Sequence, residues 1–198
     1  MIYLIGLAHR VQAITIGEDK TPGQEDFEKR LRELIQNTRP SFVAEEDSEE
    51  ALADRSARSI AQIVAAEMVI EHRFCDPTTE QRKIIGYVDG QTLQLHMFLR
   101  DQSGMSQDEI RLRCLATEIA TYFPIRERFW FDHLPRQHGR DGIFICGDGH
   151  VDSFKALLEA EGVAVIVAIR GLGLDARDND HYRAREYLAN HPELRRPD

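Results

Sequence analysis

The chain begins MIYLIGLAHR (residues 1–10), and a second stretch, GIFICGDGH (residues 142–150), ends in the same way. Each is a short apolar run that closes with a glycine and places a histidine three residues later, in the pattern Gly-x-x-His. The glycines are Gly6 and Gly147, and the histidines are His9 and His150. Short apolar runs ended by glycine predict buried β-strands, and glycine there allows a sharp turn or the close approach of a ligand.

Between and after these two strands, other strand-like apolar runs alternate with amphipathic segments. The further predicted strands are residues 41–46, 68–77 and 163–169. Helices are predicted from the capping pattern at Thr21, through residues 51–67, from Ser106, from Pro124 and around Phe154. Apolar strands that alternate with helices predict an α/β fold, in which three α/β/α layers surround a mainly parallel central sheet.

The length of 198 residues predicts one α/β domain over residues 1–198. A less regular segment is expected near residues 86–104. A polar C-terminal tail from about residue 175 is expected to hold one short helix.

Charge and cysteine content indicate which partners and which cellular compartment to expect. The chain has 25 basic and 34 acidic side chains, a formal net charge of −9, which argues against nucleic acid or an anionic membrane as partner. Three cysteines without a CxxC motif favour a reducing compartment. The N-terminal apolar run is too short to span a membrane and does not read as a signal peptide. We therefore expect a cytoplasmic protein.

Polar residues follow several of the predicted strands. Carboxyl ends of parallel strands share one edge of the sheet, where ligands bind in such folds. Imidazoles and carboxylates are common ligands of divalent transition metals, and they also suit general acid–base chemistry. The candidates at this edge are His9, Glu45, Glu46 and His150, with His72, Asp76 and Asp148 as second choices.

Structural interpretations compete with these functional ones. His9 alone could be a structural residue, and Glu45 and Glu46, followed by Asp47, could only supply negative charge to a helix N-terminus. Neighbours on a strand face opposite sides, so Glu46 could face solvent while Glu45 points inward. The pair of Gly-x-x-His motifs is the strongest signal, because two at strand ends are rarer by chance than one.

An arginine and a cysteine complete the candidates. Arg126 lies beside a predicted helix start, so we prefer it over Arg128 as a ligand for carboxylate or phosphate oxygens. The alternative is a solvated helix face with Trp130 in the core. Cys146 could be a nucleophile with His150 or a metal ligand, although a buried core cysteine is far more common.

Together these motifs resemble the superfamily that groups TIKI and TraB proteins, erythromycin esterase and ChaN-like proteins. That superfamily has GxxH after the first strand, glutamate after the second, an arginine in a middle helix and a second GxxH after a late strand. The matching residues here are His9 in GLAH, Glu45 and Glu46 in VAEE, Arg126 in IRERFW and His150 in GDGH.

The resemblance implies an α/β fold with its site at the strand ends. TIKI-like members imply metal-dependent peptide hydrolysis, esterase-like members imply hydrolysis by an activated water with histidine as base, and ChaN-like members imply haem binding. Two positions depart from the family pattern. Leu7 stands where members often have glutamate, and Glu127 stands where they often have asparagine.

From these observations we expect a small hydrolase that cleaves an ester, amide or peptide bond of a small-molecule or peptide substrate. His9, His150 and one of Glu45 or Glu46 would hold a divalent metal ion (Mn, Zn, Fe or Co) or activate water directly. Arg126 would stabilise the developing oxyanion. No nucleotide cofactor is expected, because GxGxxG and a Walker lysine are absent.

Two other functions stay open. The first is a non-enzymatic module that binds a ligand or cofactor in the same pocket through the histidines. The second is a regulatory or interaction protein, in which the crevice between His9 and His150 would be filled. The sequence also allows a homodimer but specifies none.

Overall fold

The computed structural model of the protein describes four stretches of the chain. They are residues 1–100, 104–135, 141–175 and 180–194, with only the backbone described for residues 97–100. The chain divides into two compact units. The first unit is Met1–Thr78 with Arg128–Leu174, and the second is Thr79–Glu127 with Asp175–Asp198. The single domain expected over residues 1–198 stays a prediction.

Strands occur in the first unit, in one large and one small sheet. They are β1 (Ile2–Leu7), β2 (Ala13–Thr15), β3 (Phe42–Glu45), β4 (Ala57–Ser59), β5 (Glu71–Phe74), β6 (Gly142–Gly147) and β7 (Val165–Leu172). Five of them form a sheet in the order β5-β3-β6-β1-β7, and every pair in it is parallel. Strands β2 and β4 form a separate antiparallel pair. The predicted parallel sheet is confirmed.

Helices connect these strands and also build the second unit. They are α1 (Pro22–Thr38), α2 (Glu49–Asp54), α3 (Ile60–Glu67), α4 (Thr79–Ile85), α5 (Gly90–Arg100), α6 (Gln107–Thr117), α7 (Phe123–His133), α8 (Val151–Ala160) and α9 (Asp180–Asn190). No helix in the described residues is long and apolar enough to cross a membrane. The cytoplasmic location stays a prediction.

Two apolar cores cover the two faces of the large sheet, which gives the predicted three layers. Alternate residues of a strand point to opposite faces, so β1, β3, β6 and β7 each contribute to both cores. One face packs against α1 and α3, through Phe27, Leu31 and Val64 against Ile5, Val43 and Ile145. The other face packs against α7 and α8, through Trp130, Phe154 and Leu158 against Leu4, Phe42 and Phe144.

The single helix predicted through residues 51–67 is wrong. Helix α2 ends before Ser56, whose φ of 50° lies in the left-handed region. The chain then forms β4, which pairs with β2, before α3 begins. Ser59 caps α3, because its Oγ accepts a hydrogen bond from the Gln62 backbone N–H. Propensity favoured a continuous helix, and tertiary pairing of β4 overrode it.

A π-helical turn joins α6 to α7. The sequence predicted a helix from Ser106 and a separate helix that starts at Pro124. The structure instead continues through a π-turn at Glu118–Tyr122, in which the Phe123 backbone N–H bonds to the Glu118 carbonyl. Proline lacks a backbone N–H for an α-helical bond, and the wider turn just before Pro124 carries the helix past it.

Regular structure also occurs where the sequence predicted little. The segment near residues 86–104 contains helix α5, whose first turn is capped by Asp89 accepting from the Thr92 backbone N–H at 2.8 Å. Residues 101–103 of that segment lie outside the described residues. The short helix predicted in the tail after residue 175 is present as α9.

Replacing Gly142 by alanine tests the packing at the start of β6. A methyl group there would overlap the ring of Phe42, which is buried in the core. We expect Gly142→Ala to lower the free energy of unfolding by about 1–3 kcal/mol in urea denaturation. The double variant Gly142→Ala/Phe42→Leu should lose less than the sum of the two single variants. Strictly additive losses would contradict the overlap.

Candidate functional site

The structure brings three of the candidate residues together at the carboxyl edge of the large sheet. His9 begins a 3-10 turn after β1, Glu46 directly follows β3, and His150 ends a 3-10 turn after β6. These strands are neighbours in the sheet. The Glu46 Oε1 atom lies 3.7 Å from His9 Nε2 and 3.6 Å from His150 Nε2. Both motif histidines therefore face one carboxylate oxygen.

The two glycines of the motifs make this approach possible. A Cβ atom on Gly147 would lie 2.6 Å from His9 Nε2, and one on Gly6 would lie 2.6 Å from Asp148 Oδ1. Real Cβ atoms do not approach other atoms so closely, so neither position tolerates a side chain without movement. Each glycine thus makes room for a side chain of the other Gly-x-x-His motif. The packing of each motif therefore requires the glycine of the other motif.

Glu46 is held firmly beside the histidines. Its side chain is fully buried, and Oε2 accepts a hydrogen bond from the Gly147 backbone N–H at 2.7 Å. The interpretation that Glu46 faces solvent is therefore wrong. Oε1, the other carboxylate oxygen, is the atom that faces the two imidazoles. His9 is half-exposed, with 53% of its side chain accessible, whereas His150 is buried.

Glu45 points away from this cluster and has its own set of donors. Gln12 Nε2 donates to its Oε2 at 2.8 Å, and His72 Nε2 lies 2.8 Å from its Oε1. The Ser59 hydroxyl also donates to Oε1. Three donors around a buried carboxylate offset the cost of removing it from water. His72, a second-choice candidate, thus belongs with Glu45.

Gln12 links the two carboxylate environments and was missed in the sequence. Its side-chain nitrogen donates to Glu45 and also to the Glu46 carbonyl at 3.2 Å, so its Oε1 must face His9 Nδ1, 3.3 Å away. An amide oxygen can only accept, so this contact is a hydrogen bond when His9 carries a proton on Nδ1. In the neutral ring with that tautomer, Nε2 carries the lone pair. The sequence could have indicated this contact, because Gln12 is three residues after His9 and residues three apart in a 3-10 turn lie on the same side of the turn.

The two second-choice acids make contacts that shape the site. Asp76 accepts a hydrogen bond from the Trp130 indole at 3.0 Å, and the Trp130 ring lies edge-on to His150 with centroids 4.8 Å apart. Asp148 accepts from the Gly171 backbone N–H at 2.7 Å, which ties the turn after β6 to β7. Both carboxylates therefore position the elements that carry the site.

Asp47 lies just before α2 but does not cap it. Ser48 caps α2 by accepting from the Ala51 backbone N–H. Both carboxylate oxygens of Asp47 instead accept from one guanidinium nitrogen of Arg55, Nη2, at 2.8 and 2.7 Å. Burial raises the pKa of the Asp47 carboxyl, and the Arg55 guanidinium opposes that shift.

The cysteines are buried and unbridged. Cys146 packs in the core on the α7 and α8 face of the sheet, as the interpretation of a core cysteine predicted. Burial raises the pKa of the Cys75 thiol to about 12, so this side chain is a thiol and not a nucleophilic thiolate near neutral pH.

The arginine candidates belong to different units. Arg126 lies in the second unit, where its guanidinium carbon is 5.4 Å from the centre of the Tyr87 ring. Arg128 belongs to the first unit and forms an exposed ion pair with Glu161. The role of Arg126 in stabilising an oxyanion stays a prediction.

The side chains of His9, Glu46 and His150 are of the types that bind metal ions, but they are not arranged to hold one. Two imidazoles and a carboxylate form a donor set that divalent transition metals accept. Among the described residues, however, no group of three or more His, Cys, Asp or Glu side chains is placed to hold a metal ion. The expected Mn, Zn, Fe or Co therefore stays a proposal.

Comparison with protein-family models, with curated proteins and with solved structures finds no match to this chain. The resemblance to the TIKI, TraB, erythromycin esterase and ChaN-like superfamily accordingly stays a prediction. The geometry of the site itself is what supports a function.

The glycines of the two motifs offer a matched pair of substitutions. Gly147→Ala places its methyl against the half-exposed His9 ring, which can swing outward, so we expect a change in the free energy of unfolding below about 1 kcal/mol. Gly6→Ala places its methyl against buried Val151 and Asp148, and should cost about 1–3 kcal/mol. Urea denaturation measures both. A larger loss for Gly147→Ala than for Gly6→Ala would contradict this geometry.

Substituting Gln12 tests how His9 is held. Without the Gln12 oxygen, His9 Nδ1–H loses its acceptor, and we expect Gln12→Leu to shift the neutral ring toward the Nε2–H tautomer. The variant also removes a donor from buried Glu45, which should cost about 1–3 kcal/mol of stability. Nitrogen NMR of the imidazole and urea denaturation give the two measurements. Gln36→Leu, on the exposed face of α1, is the control, and an unchanged tautomer in Gln12→Leu would contradict the assignment.

Proposed function

We propose that the protein is a hydrolase that activates water at the cluster of His9, Glu46 and His150. The observation that carries this proposal is the convergence of two imidazole Nε2 atoms on Glu46 Oε1, at 3.7 and 3.6 Å. Imidazoles that adjoin a buried carboxylate are suited to take up and release protons near neutral pH. The bonds within reach of this chemistry are esters, amides and peptides of small-molecule or peptide substrates.

His9 is the general base in this proposal. Its Nδ1 proton is directed at Gln12 Oε1, which leaves the Nε2 lone pair to accept a proton from water. Its side chain is half-exposed, so water and substrate can reach it. The water oxygen forms the bond to the substrate carbonyl carbon as its proton passes to His9 Nε2. Collapse of the tetrahedral intermediate then breaks the bond to the leaving group, which takes that proton from His9.

Glu46 and His150 support the charge that develops on His9. The Glu46 carboxylate lies 3.7 Å from the ring that becomes an imidazolium, so its negative charge favours the protonated ring. Gly147 fixes the other oxygen of the same carboxylate. His150 is buried, lies against the Trp130 ring and faces the same Glu46 oxygen at 3.6 Å. Gly147 and His150 thus hold the Glu46 carboxylate in position while His9 changes its protonation state.

A divalent ion held by His9, Glu46 and His150 would supply a bound water of lowered pKa and polarise the scissile carbonyl. Glu45 would then orient the site from outside, because its oxygens already accept from Gln12, Ser59 and His72. Carboxylates that contact the groups around a metal-binding side chain are common near metal centres.

Hydrolysis of generic probes by matched variants tests the proposal. The probes are p-nitrophenyl acetate for esters and an acylated peptide p-nitroanilide for amides. We expect His9→Ala and Glu46→Gln to lower kcat at least about a hundredfold, while His133→Ala, an exposed histidine of α7, keeps the wild-type rate. Glu46→Gln retains an oxygen that can accept from Gly147, so its fold should persist. Wild-type rates in both site variants would contradict the proposal.

The metal content of the purified protein distinguishes a metal-bound water from water activated by His9 alone. The protein is purified with Mn, Zn, Fe or Co supplied in turn, as wild type and as the His9→Ala/His150→Ala double variant. Near-stoichiometric metal in the wild type that is lost in the double variant favours a metal-bound water. Turnover without metal favours His9 as the base, and a ligand retained stoichiometrically without product favours a binding module.

A further inference from the structure

Strand β7 lies at an edge of the large sheet, although its sequence is typical of a covered strand. Residues 163–169 read VAVIVAI, a run of seven apolar residues. Such a run is typical of a strand that has neighbours on all sides. In the sheet order β5-β3-β6-β1-β7, however, β1 is the one described strand that pairs with β7. Each of the eight residues of β7 keeps an accessible part, and Ile166 is 45% exposed.

The opposite edge of the sheet carries charges that β7 lacks along most of its length. Strand β5 has the sequence EHRF, and its exposed Glu71 and Arg73 side chains form an ion pair at 3.0 Å. Charged side chains on an edge strand oppose pairing with a further strand, because pairing would remove them from water. In β7 the first charged residue is Arg170, near the end of the strand. The sequence of β7 therefore permits a further strand, whereas that of β5 opposes one.

The backbone of β7 directs hydrogen-bonding groups toward this open edge. The Ile2 backbone N–H donates to the Ala164 carbonyl at 2.8 Å, and Ile2 is paired with Val165 in the parallel register. Along a strand, alternate residues direct both of their backbone groups to the same side. Ala164 and Ile166 therefore face β1. Val165 and Val167 direct their N–H and C=O groups to the other side, where a sixth strand would lie.

We propose that β7 pairs with β7 of a second copy of the chain, antiparallel and about a two-fold axis at Ile166. A two-fold axis brings the same surface of both copies together. With the axis at Ile166, Val165 lies opposite the partner's Val167, and each such pair exchanges two backbone hydrogen bonds. The two exposed Ile166 side chains then pack against each other. The residues two positions away, Ala164 and Ala168, are small and leave room for this contact.

The distribution of charge favours pairing of β7 with itself over pairing of β7 with β5 of another copy. Pairing with β5 would place Glu71 and Arg73 beside an apolar strand. It would also leave one β5 and one β7 open at the ends of the pair, and repeated addition would produce a filament. Pairing of β7 with itself joins two uncharged stretches, residues 163–169 of each copy, and closes the assembly at two chains.

The edge of the first unit is large enough for a stable dimer. Strand β7 contacts α1 and α8, which cover opposite faces of the sheet. Its eight residues extend over about 26 Å, and the three layers together are about 30 Å thick. The edge therefore presents about 800 Å² per copy, which equals the area that each partner buries in a standard stable interface. The proposal does not depend on the hydrolase, because residues 163–169 include none of His9, Glu46 and His150.

The molar mass of the protein in solution, measured by light scattering after size-exclusion chromatography, tests the pairing. We expect the wild type to have twice the mass of one chain. Ile166→Lys places two like charges opposite each other and should raise the dimer Kd at least about a hundredfold. Ile16→Lys, at an isoleucine of the same unit that is 60% exposed, should dimerise as the wild type does. A wild type that is monomeric at about 100 μM would leave the edge to an extended segment of another protein and overturn the proposal. Unchanged dimerisation of Ile166→Lys would also overturn it.

A cysteine at the two-fold axis tests the register. Opposite residues of a non-hydrogen-bonded antiparallel pair have Cα atoms about 4.5 Å apart, which a disulfide can bridge. The natural cysteines, Cys75, Cys114 and Cys146, are buried. Under mild oxidation, Ile166→Cys should therefore form a disulfide between two chains at least about tenfold faster than Ile16→Cys. Equal rates for the two variants would overturn the proposal. Thermal melting checks the fold, and the disulfide rates decide the matter if Ile166→Lys is unfolded.

Discussion

The parallel pairing of β1 with β6 sets the position of everything at the carboxyl edge of the large sheet. Leu7 lies opposite Gly147 in this register, so both strands leave the sheet at the same level and their 3-10 turns meet side by side. Two chain segments can approach so closely only where side chains are missing. Gly6 and Gly147 provide that space, and a one-residue change of register would turn every side chain of a strand to the other face.

Two adjacent buried carboxylates are the costly feature of this edge. A carboxylate removed from water destabilises the fold unless donors or charges compensate it. Glu45 receives donors from segments far apart in the chain, through Gln12, Ser59 and His72, and Glu46 receives the Gly147 N–H. The sheet, the small β2–β4 pair and the candidate site therefore depend on one another, because each supplies partners that the others need.

A similar principle operates in the second unit with different parts. The π-helical turn that precedes Pro124 begins at Glu118, and this buried carboxylate is bonded to Tyr87 and to the start of α5. A backbone irregularity, a glycine at a close contact and a buried acid thus occur together, as they do at the sheet edge. Both units hold a buried carboxylate in place with internal donors.

The alternation of apolar runs and amphipathic segments determined the α/β class and the parallel sheet, because period and burial are local properties of the sequence. The paired Gly-x-x-His motifs likewise placed His9 and His150 at the same sheet edge. Tertiary structure decided the rest. Strand β4 interrupts a helix that propensity favoured. Gln12 contacts His9 because Glu45 fixes the orientation of the Gln12 amide. Hydrogen bonds between residues distant in sequence depend on register and close packing, which a local pattern does not encode.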